Sequence, residues 1–181
     1  LSPNWKRLPG ELLLRVKAYV KNSKFNDALI ELGDLSGWIE FGEELINIGL
    51  HCLLATADTK SILLSINMIP HSSILPNMRL SIAEYLNKNS EIDSLIVFLR
   101  HSLVSKCFSP AYYLYSASIV FDSDILDLAE SLGLESFNQD SSNPVSSLHL
   151  SIVYATQSNY TEALKYALLS IELDPYLAEA K

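Results

Sequence analysis

Prolines stand at Pro76, Pro110 and Pro144, each 34 residues after the last. A tyrosine followed nine positions later by a small residue occurs at Tyr19/Ala28, Tyr85/Ser94 and Tyr154/Ala163, with weaker copies at Cys52/Ser61 and Val120/Ala129. These anchors lie 33, 33, 35 and 34 residues apart. A repeat of about 34 residues is the mark of stacked helix-turn-helix units, each too small to bury its apolar face alone. The spacing predicts an all-α chain of ten helices in five hairpins, with an eleventh helix starting at residue 178. Repeats fall at about 9–41, 42–74, 75–109, 110–143 and 144–177.

The nine-residue spacing has a steric reason. Two helices of a hairpin approach closely where one offers a ring and the other a small side chain. Proline in the first helical turn loses no hydrogen bond and presets φ. Pro76, Pro110 and Pro144 therefore start the first helix of a hairpin, and Pro9, ten residues before Tyr19, joins them. Between these starts, apolar residues keep helical spacing, as in Leu12, Leu13, Val16, Tyr19 and Val20. Ser36-Gly37 reads as a helix stop, Trp38 to Ala57 as one long helix, and Asp58 as an N-cap. Ser90 with Asp93 resembles a capping box, and Asp124 and Asp127 an acidic first turn. The stretch Glu135 to Asn143 reads as the longest loop.

Charge and composition narrow the function. The net charge of −8 argues against nucleic acid as a partner. Six basic residues crowd the first 24 positions: Lys6, Arg7, Arg15, Lys17, Lys21 and Lys24. Lys17, Lys21 and Lys24 follow helical spacing and form either a solvated edge or a contact for an acidic segment. Hydrophobic residues make up 49% of the chain and charged ones 19%, as expected where end faces are covered by further repeats. No apolar run reaches the roughly 18 residues of a membrane span. The chain opens at Leu1 without methionine and reads as an excerpt of a longer array. Cys52 and Cys107 sit in apolar helical patterns and read as reduced thiols of an intracellular protein, cytoplasmic or nuclear. The histidines 51, 71, 101 and 149 have no metal-ligand spacing, and no phosphate loop or nucleophile elbow occurs. The sequence gives no catalytic residue, cofactor or metal site, so an enzyme is not expected.

Leu150, Tyr154, Tyr160, Ala163 and Pro175 fall at the spacing of the tetratricopeptide repeat (TPR) consensus. Asn159-Tyr160-Thr161-Glu162-Ala163-Leu164 resembles its turn, and Ile171-Glu172-Leu173-Asp174-Pro175 its close. Ser147 and Ser151 replace its usual tryptophan and glycine. The upstream repeats match only in phase. The resemblance implies a right-handed α-solenoid whose concave face is lined by the first helix of each hairpin. It places Arg79, Asn87, Leu114, Ser118, Phe121, Leu148, Ile152 and Thr156 on that face. Comparable positions elsewhere are Leu13, Lys17, Ile46, Leu50 and Ala83. TPR cochaperones hold a terminal carboxylate with a lysine and asparagines on successive first helices; here no asparagine recurs and the lining is mostly apolar. The partner implied is another protein, as peptide, helix or neighbouring subunit, or a second copy. The reading is a protein-interaction scaffold in a larger assembly. Its alternative is a receptor for a peptide or targeting motif.

Overall fold

The structure, a computed structural model, describes residues 9–33, 38–39, 42–56, 59–105 and 108–177. Lys6, Arg7, the Ser36-Gly37 stop, Asp58, Cys107 and the helix expected from residue 178 lie outside them. Among the described residues there are ten α-helices and no strand. They are α1 Pro9–Lys21, α2 Phe25–Leu32, α3 Glu43–Thr56, α4 Thr59–Met68, α5 Pro76–Lys88, α6 Ile92–Ser105, α7 Pro110–Asp122, α8 Leu126–Gln139, α9 Pro144–Thr156 and α10 Tyr160–Leu173. A 3₁₀ turn, His71–Ser73, precedes α5. The chain is all-α. All four proline-led helices begin at the proline, and each is 13 residues long. Ser109 and Asn143 cap α7 and α9 just ahead of that proline.

The four hairpin turns among the described residues repeat in detail. Ser23, Ser90, Asp124 and Ser158 all have positive φ, between 56° and 61°. Across them the N–H of Lys24, Glu91, Ile125 and Asn159 reaches back five residues to the carbonyl of Tyr19, Leu86, Val120 and Tyr154, at 2.8–3.0 Å. This is the Schellman closure of a helix, with a left-handed residue just past its end. Nine residues after each of those carbonyls comes a buried Ala28, Leu95, Ala129 or Ala163.

The turns correct the third repeat by one residue. Its anchor is Leu86, fully buried, and not Tyr85. Ser90 belongs to the turn, so it opens no capping box, and α6 starts at Ile92. Asp124 is likewise a turn residue, and only Asp127 lies in the first turn of α8. Three further boundaries differ from expectation. The stretch read as one long helix is broken at Gly42, whose φ is +96°. Trp38 is buried against α3, where a Cβ on Gly49 would come within 2.5 Å of its ring. Helix α2 stops at Leu32 with the left-handed Gly33 as its cap. The expected loop from Glu135 is mostly helix, since α8 runs on to Gln139. Packing explains this: Ser136 is buried, and the Phe137 ring meets Tyr166 edge-on at 5.4 Å.

The chain divides between Ile82 and Ala83 into two compact units. In the first, α1 to α4 pack in sequence and α1 also touches α3. In the second, α7 to α10 pack in sequence, α7 touches α9, and α6 touches α8. Small hydroxyls stitch this second unit. Ser136 Oγ donates to the Pro110 carbonyl at 2.8 Å, and Ser170 Oγ repeats the bond to Pro144 at 2.9 Å. Ser136 Oγ also lies 3.0 Å from Ser146 Oγ, where one repeat earlier Ser102 Oγ meets the Tyr112 hydroxyl at 2.7 Å. Satisfied hydroxyls of this kind let helices approach without stranding buried polar atoms.

Leu150, Tyr154, Ala163 and Tyr166 form the core of the last hairpin, with Leu134 and Phe137 against it. Tyr154 stacks on Tyr166 at 5.6 Å and donates its hydroxyl to Glu130. Burial and the Glu130 carboxylate hold its phenol protonated well above the usual range. Cys52 is buried and free, and burial pushes its thiol up to about 11, which leaves it unreactive at neutral pH.

Two substitutions test this packing. Ala163→Leu should overpack the Tyr154 contact and cost about 1–3 kcal/mol in denaturant unfolding. Ser158→Gly should instead raise stability by about 0.5–1 kcal/mol, because glycine takes the left-handed turn without a Cβ clash. A loss of stability in Ser158→Gly would contradict the turn geometry.

Candidate functional site

An open groove of about 400 Å³ lies in the second unit between α7 and α9. Side chains four apart on a helix share a face, so Leu114 and Ser118 project together from α7, and Leu148 and Ile152 from α9. Ala111 and Tyr115 complete the α7 wall, and Val145 and His149 the α9 wall. Each residue has its counterpart 34 positions on: Ala111 and Val145, Leu114 and Leu148, Tyr115 and His149, Ser118 and Ile152. Asn143 closes one end, its side chain accepting from the Val145 N–H at 2.9 Å.

The rim is polar. The Tyr115 hydroxyl donates to Glu84 of α5, and this bond, with the carboxylate's charge, raises the phenol's pKa. His149 packs edge-on against Phe121 at 5.9 Å. Its Nε2 is buried with no hydrogen-bond partner. Burial lowers its pKa, and the nearby Asp122 only partly opposes this. The imidazole is thus neutral at pH 7. Gly133 of α8 lies beneath it, and a Cβ there would come within 3.3 Å of the ring and 3.0 Å of Leu150. Such a groove has an apolar floor and a few fixed polar groups, the usual make-up of a binding cleft.

Of the eight residues expected on a concave face, four meet here: Leu114, Ser118, Leu148 and Ile152. The other four do not line the groove. Phe121 is half-buried behind its wall, against His149. Thr156 is exposed and turned onto its own helix, donating to the Ile152 carbonyl at 2.9 Å. Asn87 accepts from Ser123 Oγ at the end of α7. Arg79 is fully buried, and its Nη1 donates to the His71 carbonyl at 3.1 Å. It belongs to the interior and not to an open face. The one-residue slip in the third repeat explains the error: counted from Leu86, the positions matching Leu114 and Ser118 are Leu80 and Glu84. Ile46, Leu50 and Ala83 are buried too. The basic cluster is partly engaged, since Lys17 pairs with Glu44 at 2.5 Å and Arg15 with Glu31 at 3.1 Å. Lys21 and Lys24 are exposed, and Lys24 edges a smaller cleft with Arg15, Ala18, Tyr19 and Asn22.

Tyr115, Val145, His149 and Asn143 were not foreseen as site residues, although the 34-residue spacing of 111/145 and 115/149 was there to be read. Among the described residues no group of three or more metal-ligating side chains occurs, and no helix is long and apolar enough to cross a membrane. No protein-family model matches the sequence, and no characterised protein is significantly similar to it.

His149 gives a pH test. Above about pH 7 it is neutral in both folded and unfolded chains. As pH falls through its ordinary value of 6.5, the unfolded chain takes up a proton that the folded chain resists. Stability should therefore drop with acid, by at most about 1.4 kcal/mol per pH unit. Urea midpoints of wild type and His149→Gln between pH 7.5 and 5.5 check this: the variant should have the flatter profile.

Proposed function

We propose that this chain is a protein-interaction module, a TPR-like scaffold segment that holds a stretch of a partner protein in the α7/α9 groove. The observation that carries the reading is the convergence of four pairs of side chains, each 34 residues apart, on one open groove. A repeat unit is copied for its packing, and its solvent-facing positions are then free to specialise for a ligand. Leu114, Leu148, Val145 and Ile152 offer hydrocarbon to the partner's apolar side chains. Ser118, Asn143 and the Tyr115 hydroxyl offer hydrogen bonds that set its direction. A peptide laid as a helix or extended segment suits a groove of this kind. In this reading the five hairpins continue one right-handed α-solenoid within a larger intracellular assembly.

The receptor alternative is favoured by a specific observation: the groove is open and has polar groups on its rim. The scaffold and receptor readings share the site, and both are tested by the same variant. Leu148→Asp with Ile152→Asp places two carboxylates on the groove floor. Affinity capture from the source cell, read by quantitative mass spectrometry, should lose its main partner at least about tenfold, as removal of central apolar anchors does elsewhere. The melting temperature should stay close to that of the parent, because Ile152 is exposed and Leu148 only half-buried. Retention of the same partners by a folded variant counts against the groove.

A further inference from the structure

The second unit is strongly acidic. From Ala83 to Lys181 it has 13 acidic and 5 basic side chains, so it carries the whole net charge of −8. The α7/α9 groove shares this bias. None of its lining residues is a cation, and His149 is neutral at pH 7. Glu84 stands exposed on the rim, with the Tyr115 hydroxyl donating to its Oε1. Lys88 is one turn further along α5, but among the described residues the two form no ion pair.

The negative charge is gathered at one end. Glu84, Ser118 and Ile152 follow one another at 34-residue steps, in the second half of α5, α7 and α9. Asp122 ends α7 and acts on His149 from there. The last turn of a helix adds partial negative charge of its own. At the other end of the groove stand Asn143 and the first turn of α9, where a helix is partially positive. An acidic segment in this groove would bring carboxylates beside Glu84 with no lining cation to meet them. A basic segment finds a carboxylate already in place.

Tyr115 narrows the choice of cation. Its side chain lines the groove, and the residue is 48% exposed. A guanidinium can lie flat on such a ring and still donate N–H bonds in its own plane, whereas an ammonium has no plane to stack. The phenol uses Oε1 of Glu84, which leaves Oε2 to accept.

We infer that the occupant of the groove is a basic, apolar segment of a partner protein. Its arginine lies on the Tyr115 ring and pairs with Glu84, and its apolar side chains fill the space between Leu114, Leu148 and Ile152. The arginine sits toward the Ser118–Ile152 end, which fixes the direction of the segment. This names the chemistry of the partner and rests on the groove reading given above.

Random peptides displayed on phage and selected on this chain supply the probe. The selected peptides should share an arginine flanked by apolar residues. Affinity is then read by fluorescence anisotropy of one labelled peptide and of a copy with glutamate for that arginine. Glu84→Gln still accepts from Tyr115 but has no charge, and it should weaken the arginine peptide about threefold. Glu84→Lys should weaken it about tenfold, and should bind the glutamate copy better than the parent does. Glu84 is exposed, so both variants should melt with the parent. Leu148→Asp with Ile152→Asp should bind neither peptide. Selected peptides that need Leu148 and Ile152 but are acidic or uncharged overturn the arginine site and leave the groove reading standing. So does an arginine peptide whose affinity is the same for parent, Glu84→Gln and Glu84→Lys. Peptides indifferent to Leu148→Asp with Ile152→Asp, or a selection that yields none, overturn both.

Discussion

Four of the hairpins depend on how their first helix stops. A helix left to fray would let the second helix leave at many angles. Here the N–H of Lys24, Glu91, Ile125 or Asn159 is drawn back onto a carbonyl five residues earlier, which fixes the exit. The geometry requires one residue in the left-handed region, a conformation that costs a non-glycine residue about 1–2 kcal/mol. Serine and aspartate fill that position in all four described turns. Their persistence without glycine means that packing of the paired helices more than offsets the strain. The same closure sets which residue of the second helix faces the first, so Ala28, Leu95, Ala129 and Ala163 are buried together with the turn.

Between hairpins, the second unit relies on hydroxyls as much as on hydrocarbon. Ser136 and Ser170 donate to the first carbonyl of α7 and α9, whose oxygen has a second lone pair beyond the one used by its own helix. A larger side chain at these buried positions would push the helices apart. An alanine would leave the space but remove the bond. Serine answers both demands at 136 and 170.

The groove follows from the same register. Once Val120 and Tyr154 face their hairpin partners, residues six and two positions earlier on each helix turn the other way, and these are Leu114, Ser118, Leu148 and Ile152. The rim then depends on side chains that cross between helices. Tyr115 ties α7 to Glu84, and Phe121 with His149 closes the wall behind α7 and α9. A neutral imidazole suits that place, because a charge there would be poorly solvated.

The sequence by itself determined the helical class, the proline starts and the 34-residue beat, because these are local: proline fixes φ, and the helical period shows in the apolar spacing. It also named half of the groove, since i and i+4 positions on one helix must share a face. The third anchor was decided only by tertiary structure. Tyr85 and Leu86 are both apolar enough to serve, and only the turn bond to Leu86 separates them, which moves Arg79 inside. Gly133, inside α8, is a close contact beneath Leu150 and His149. The stretch Glu135 to Gln139 looked like a loop and is held helical by Phe137 and Ser136. Gly49 makes room for the Trp38 ring. At Gly133, Phe137 and Gly49 the deciding partner lies outside the helix concerned, where local preference does not display it.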